Sequence, residues 1–234
     1  MLIKHLQEKQ KKLLNQQTDF YTPTGIHVYF QEELLNDEVN VERVISRVEN
    51  KIPHHLLSEI EMMIIGWFEE FDERNLTAFY ENGTVFISHI QDDEDDMFDD
   101  IVHEISHSLE SPHGYFLYGD EKIKKEFLRK RKHLHDILWA HGHKIPESVF
   151  SIIEYDEDFD MLLYKQIGYD KLASLMRGLF ISPYAATSLR EYFATGFTEF
   201  YLNPNQHNYL KTISPSLYKK IILLQNPETL DTSM

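Results

Sequence analysis

The sequence predicts an α+β fold that is mainly helical, with a small mixed sheet. Three observations carry this reading. Short apolar runs of strand length, rich in β-branched and aromatic residues, fall before residue 90. Beyond them, apolar residues recur at helical spacing through most of the chain. Where the two regimes meet, a helical segment from Met97 to Leu109 contains His103, Glu104, Ile105, Ser106 and His107, the pattern H-E-x-x-H.

Taken in order, residues 1–24 form a polar lead, Lys- and Gln-rich over its first 19 residues, helical or frayed. Residues 25–234 form one domain, with a helical insertion at about 115–170. Gly25 to Phe30 reads as a first strand. Val41, Val44, Ile45 and Val48 place a helix over Val41 to Ile52, and Pro53 opens another short one through Leu56, Leu57 and Ile60. Met62 to Phe68 is an apolar run whose length and Gly66 favour a buried strand. Leu76 to Tyr80 and Gly83 to Ser88 flank Glu81, Asn82 and Gly83, a hairpin signal. Ile123, Phe127, Leu134 and Leu138 give one apolar face to a basic helix that starts at Lys122. An acidic helical stretch follows from Pro146, and Pro215 to Leu224 is a closing helix.

Composition narrows the function classes. A net charge of −16 and a pI near 5.2 argue against nucleic-acid partners and anionic membranes. There is no apolar run of the ~20 residues that a membrane-spanning helix needs, so no membrane insertion is expected. The first residues lack the apolar core of a signal peptide. Cytoplasmic residence is therefore the default expectation; release by another route, or packaging in a particle, stays open. With no cysteine, a thiolate metal site is excluded.

The pentapeptide carries specific chemistry. Residues i and i+4 share one face of a helix, so His103 and His107 can hold one Zn²⁺ through ring nitrogens at ~2.0–2.1 Å. Glu104 stands beside that pair and suits a general base that activates water. Phe98, Ile101, Val102, Ile105 and Leu109 form the apolar stripe that would pack this helix. The bland alternative is an amphipathic helix with two hydrogen-bonded histidines. A catalytic zinc site also needs a third protein ligand.

The best source of that ligand is the stretch from Ser182 to Phe200, which contains Glu191, 84 residues beyond His107. Ser182, Tyr184, Ala185, Thr187, Glu191, Phe193, Ala194 and Phe197 match the pattern S-x-Y-A-x-T-x-x-x-E-x-F-A-E-x-F. With the H-E-x-x-H helix and the strands before it, the chain from about Leu57 to Tyr201 resembles the catalytic domain of anthrax lethal factor and its relatives, the Pro-Pro endopeptidases. The resemblance implies a zincin-like fold. It implies His103, His107 and Glu191 as zinc ligands, one zinc per chain, Glu104 as the base and Tyr184 as a phenol donor to the developing oxyanion. A continuous helix would set Tyr184 and Glu191 two turns apart, facing one cleft.

Each of these residues has a plainer reading as well. Ser188 and Glu191 spell a capping box, S-x-x-E. Tyr184 alone would read as packing. The family pattern has a Glu where this chain has Thr195, which puts catalytic vigour in doubt more than metal binding. Glu110, three residues after His107, is a candidate substitute for orienting the ligands.

The resemblance further implies that Thr84, Val85, Phe86, Ile87 and Ser88 form an edge strand against which extended substrate pairs; the alternative is an internal strand. Residues 92–100 hold seven acids in nine positions, read as helix N-terminal charge or as a calcium site. Residues 122–132 hold seven basic side chains in eleven, read as a solvated helix or a patch for an acidic partner. His133 with His135 diverge on a helix, and His141 with His143 suit a metal only in a loop. The resulting expectation is a zinc-dependent endopeptidase acting on a peptide or protein substrate. Its competitor is a zincin-fold binding protein of weak or no activity. A delivered, toxin-like effector peptidase is a variant of the first.

Overall fold

The computed structural model describes residues 19–74 and 76–231. The described chain is mainly helical and carries one five-stranded mixed sheet, so the α+β expectation holds. It divides into two compact units, Met1–Ile105 and Ser106–Met234. No described helix is long and apolar enough to cross a membrane.

The first unit holds the sheet. Its strands are β1 (Asp19–Tyr21), β2 (His27–Phe30), β3 (Met62–Gly66), β4 (Ala78–Glu81) and β5 (Thr84–Ser88), in the spatial order β1-β2-β3-β5-β4. The lead expected over residues 1–24 is therefore partly strand: β1 pairs antiparallel with β2, while residues 1–18 lie outside the described part. Asn82 and Gly83 both take positive φ, the two-residue turn that closes a β4–β5 hairpin without splaying its strands. β2, β3 and β5 run parallel to one another, which needs crossovers. Helix α1 (Val41–Lys51) supplies the first and α2 (Glu69–Arg74) lies within the second.

Alternation along the strands separates two faces. Val28, Met63, Ile65, Val85 and Ile87 are fully buried on one side. Phe86 stacks on Phe79 at 4.5 Å on the other, with Phe68 and Phe71 packed edge-on. Helix α3 (Glu94–Ser108) buries Met97, Phe98, Ile101 and Val102 completely. Asp93 caps its start, accepting from the backbone N–H of Asp95 and Asp96. Glu94 and Asp95 pair with Arg43 and Arg47 of α1, and the Arg47 guanidinium lies 4.1 Å over the Phe98 ring. The acidic run thus serves as helix cap and ion-pair partner. Among the described residues, it forms no metal-binding group of three.

The second unit is helical: α4 (Glu110–Tyr118), α5 (Lys122–Ala140), α6 (Glu157–Met161), α7 (Tyr169–Leu175), α8 (Leu189–Leu202), α9 (His207–Ile213), α10 (Pro215–Leu224) and α11 (Glu228–Asp231). A seven-residue π-helical stretch, Leu162–Gly168, joins α6 to α7. The expected apolar face of α5 is present, since Ile123, Phe127, Leu134 and Leu138 are fully buried. The expectation of a solvated basic helix fails for two of its cations. Lys130 and Arg131 are buried: Lys130 donates to Ser214 Oγ at 2.7 Å, and Arg131 to three backbone carbonyls. Glu126 accepts from Tyr192 Oη and from the N–H groups of Ser216 and Leu217, which caps α10. Gly196 lets α8 and α10 meet, because a Cβ there would sit 2.3 Å from Leu217 Cδ2.

Candidate metal centre

Helix α3 sets out the first part of the site. Its continuity from Glu94 to Ser108 keeps His103 and His107 one turn apart on one face. His107 is 8 % exposed and Glu104 9 %, while His103 is half-buried. One turn before His103 lies Asp99. Burial pushes its carboxyl up, and His103 opposes that rise. The i, i+4 spacing of Asp99 and His103 was open to inspection in the sequence, yet this neighbour was missed.

Asp100, on the same helix, is more strongly affected. Burial drives its carboxyl up to about 6; hydrogen bonds from Thr77 Oγ1 at 2.8 Å and Gln91 Nε2 at 3.2 Å oppose the rise, and the charges of Asp99 and Glu104 add to it.

In the second unit, α8 brings Glu191. The helix is not continuous between Tyr184 and Glu191. Tyr184–Ala186 is a 3-10 turn, and Ser188 takes an extended φ of −149° before α8 begins. The two readings of Glu191 turn out to be compatible. Its backbone N–H donates to Ser188 Oγ at 3.0 Å, the capping bond. Its carboxylate, 8 % exposed, puts Oε1 3.5 Å from His107 Nε2.

Candidate ligand atoms of His103, His107 and Glu191 lie within 4.8 Å of one another. Among the described residues, this is the one group of three such side chains that could hold a metal. The donor set fits zinc: two imidazoles and a carboxylate, with no thiolate. The spacing fits as well. Two ligands at ~2.0–2.1 Å from a tetrahedral ion stand about 3.3 Å apart, and the His107–Glu191 separation is 3.5 Å. The histidines at 133, 135, 141 and 143 contribute to no such group.

A residue that sequence reasoning passed over completes the surroundings. Arg190 Nε donates to His107 Nδ1 at 3.0 Å and sits 2.6 Å from Glu110 Oε2. Glu110 Oε1 accepts from Tyr118 Oη at 2.9 Å. Glu110 and His107 thus both contact Arg190 Nε. Thr195 is half-buried one turn beyond Glu191, and Arg190 gives a hydrogen bond to His107.

Tyr184 is half-buried on its 3-10 turn, near enough to Tyr169 to help raise that phenol's pKa. The turn is braced by Arg131, whose Nη1 donates to Ala186 O at 2.9 Å and Thr187 O at 3.0 Å.

The expected substrate strand is a correction. Thr84, Val85, Phe86, Ile87 and Ser88 form β5, which pairs with β3 on one side and β4 on the other. Ser88 N also donates to Thr77 O at 2.8 Å. The backbone groups of β5 are engaged within the sheet, so they offer no edge to a peptide. The described sheet edges are β1 and β4.

No protein-family model, no curated protein and no solved structure matches this chain.

Proposed function

We propose that the protein is a zinc-dependent endopeptidase with a zincin-like arrangement. The observation that carries this reading is the convergence of His103, His107 and Glu191, with Glu104 next to the first of them on the same helix. The resemblance of the Ser182–Phe197 motif to lethal factor-like peptidases agrees with it. His103, His107 and Glu191 would hold the ion. Bound zinc polarises a scissile carbonyl and makes water a nucleophile near neutral pH.

The remaining chemistry belongs to the chain. Glu104 takes a proton from the attacking water and later delivers it to the leaving amine. Its burial keeps the carboxylate away from bulk water, where such proton transfers lose their direction. Tyr184 donates its O–H to the oxygen that gains charge in the tetrahedral transition state.

Native mass spectrometry tests the metal, and a randomised octapeptide library read by mass spectrometry tests the activity. We expect one zinc per chain, lost in His103→Ala. Glu104→Gln should keep zinc and fold while turnover drops by ~10²-fold or more. Tyr184→Phe should keep zinc and lose roughly 10²–10³ in kcat with little change in KM. A zinc-loaded wild-type protein that cleaves nothing in the library would replace this reading with that of a zinc-binding, non-hydrolytic protein.

A further inference from the structure

The segment after α5 is tied to the start of α8. Leu189 N donates to Ile153 O at 2.8 Å, two residues before Glu191. Arg131 fixes the same pairing, with Nη2 on Val149 O at 2.8 Å and Nη1 on the carbonyls of Ala186 and Thr187. Two residues past Ile153 stands Tyr155, 52 % exposed and therefore open to a ligand. Its O–H donates to Asp160 Oδ2 at 3.0 Å, and Tyr169 Oη donates to Asp160 Oδ1 at 2.7 Å. Burial pushes the Tyr155 phenol up to about 12, with help from Asp160 and from the charges of Glu157 and Glu191. The phenol thus keeps its proton near neutral pH, and it lies within electrostatic reach of the candidate zinc ligand Glu191.

The hydrogen bonds define what Tyr155 has left to offer. A phenol owns one hydrogen, and here Asp160 takes it. The oxygen keeps its lone pairs, so with its hydrogen engaged Tyr155 serves as an acceptor. An extended peptide presents N–H and C=O groups in alternation, and an acceptor on the segment paired with the start of α8 could take one of its N–H groups. Tyr has two side-chain torsions, so holding the acceptor in place costs little entropy.

We propose that Tyr155 is a substrate-positioning residue that accepts a hydrogen bond from a backbone N–H of the bound peptide, and that Asp160 holds it in that role. This rests on the peptidase reading above. It assigns Tyr155 and Tyr184 opposite duties, since one accepts from the peptide and the other donates to it.

The test uses the octapeptide that the wild-type protein cleaves fastest, carrying a fluorophore. In the full-length protein, Tyr155→Phe should raise KM about 5- to 10-fold, the size of one lost hydrogen bond, with kcat within twofold of wild type. In the Glu104→Gln background, which binds without cutting, the same change should weaken Kd by the same factor. N-methylation of the peptide, one nitrogen at a time, should reveal one position that weakens binding to Tyr155 protein and leaves Tyr155→Phe protein unaffected. Asp160→Asn puts an NH2 donor where one of the two phenols now finds an acceptor oxygen, and it should also raise KM at unchanged zinc content. Unchanged KM and Kd in Tyr155→Phe, in a preparation whose wild type cleaves, would overturn this inference and leave the peptidase reading standing. A wild-type protein that cleaves no peptide would remove both.

Discussion

Arg190 and His107 share a hydrogen bond of 3.0 Å, from the guanidinium Nε to the ring Nδ1. A permanent cation therefore stands against a candidate ligand of a dication. The single Nε hydrogen is shared with Glu110, 2.6 Å away and itself held by Tyr118; a metal on His107 Nε2 would put a hydrogen on Nδ1 and leave the Arg190 hydrogen to Glu110 alone. Burial, and then the Glu110 carboxylate, push the Tyr118 phenol well above its usual range, so it remains a donor.

The charges predict opposite effects for single and double changes. Glu110→Gln leaves Arg190 uncompensated beside the metal group, and zinc affinity should fall ~10-fold or more, the range for lost outer partners of metal ligands. Adding Arg190→Gln removes the offending cation and should recover most of that loss. Chelator competition measures both. A double variant no better than Glu110→Gln alone would show that Glu110 acts by shape and not by charge.

Ser188 and Glu191 allow a second separation. The Ser188 hydroxyl caps α8 through the Glu191 backbone, while the Glu191 carboxylate faces His107. Ser188→Ala should cost about 1 kcal/mol of stability and leave zinc stoichiometry intact. Glu191→Ala should leave the cap in place and lose the metal. Thermal melts and native mass spectrometry together check the pair. Full zinc occupancy in Glu191→Ala would reduce that residue to its capping role.

How far the sequence reached depends on the range of the interaction. The Asn82–Gly83 turn was legible because positive φ is a local demand. The His103–His107 pair was legible because one helical turn is local too. The break before α8 carried its own local sign, the S-x-x-E capping box of Ser188 and Glu191, and the structure realises it. Arg190 could not be found that way. Its partner lies 83 positions earlier in the chain, and only the folded second unit brings them together. The interior place of β5 also depends on distant pairing with β3. One signal was available: Val85, Phe86 and Ile87 leave no polar face, as expected of a strand covered on both sides.

The position of β5 sets a prediction of its own. Val85 lies opposite Met63 of β3 and Tyr80 of β4, and it is fully buried. Val85→Pro removes an N–H from the interior of the sheet and forces a ring into it. The protein should fail to fold, or melt far below wild type by circular dichroism. A stable Val85→Pro variant with altered KM alone would restore β5 as a strand open to substrate.

Asp100 gives the chain a pH signature apart from the metal ligands. Its folded pKa is raised from 3.8 to about 6, chiefly by burial. A carboxyl so shifted binds its proton more tightly in the folded state than in the unfolded one. Its favourable contribution is complete below the unfolded value and is lost as pH rises through the folded value. The loss therefore falls between about pH 4 and pH 6, and a shift of about two units corresponds to roughly 3 kcal/mol at most. Asp100→Asn cannot titrate, and its amide oxygen can still accept from Thr77 Oγ1 as the carboxylate does. Urea unfolding of both proteins across pH 4–7 isolates the effect, because the other carboxylates and the histidines titrate in each. The stability of wild type relative to Asp100→Asn should decline across that window and level off above it. A difference that is flat with pH, or that grows as pH rises, would mean that the Thr77 and Gln91 hydrogen bonds outweigh burial and that Asp100 is ionised in the folded protein throughout.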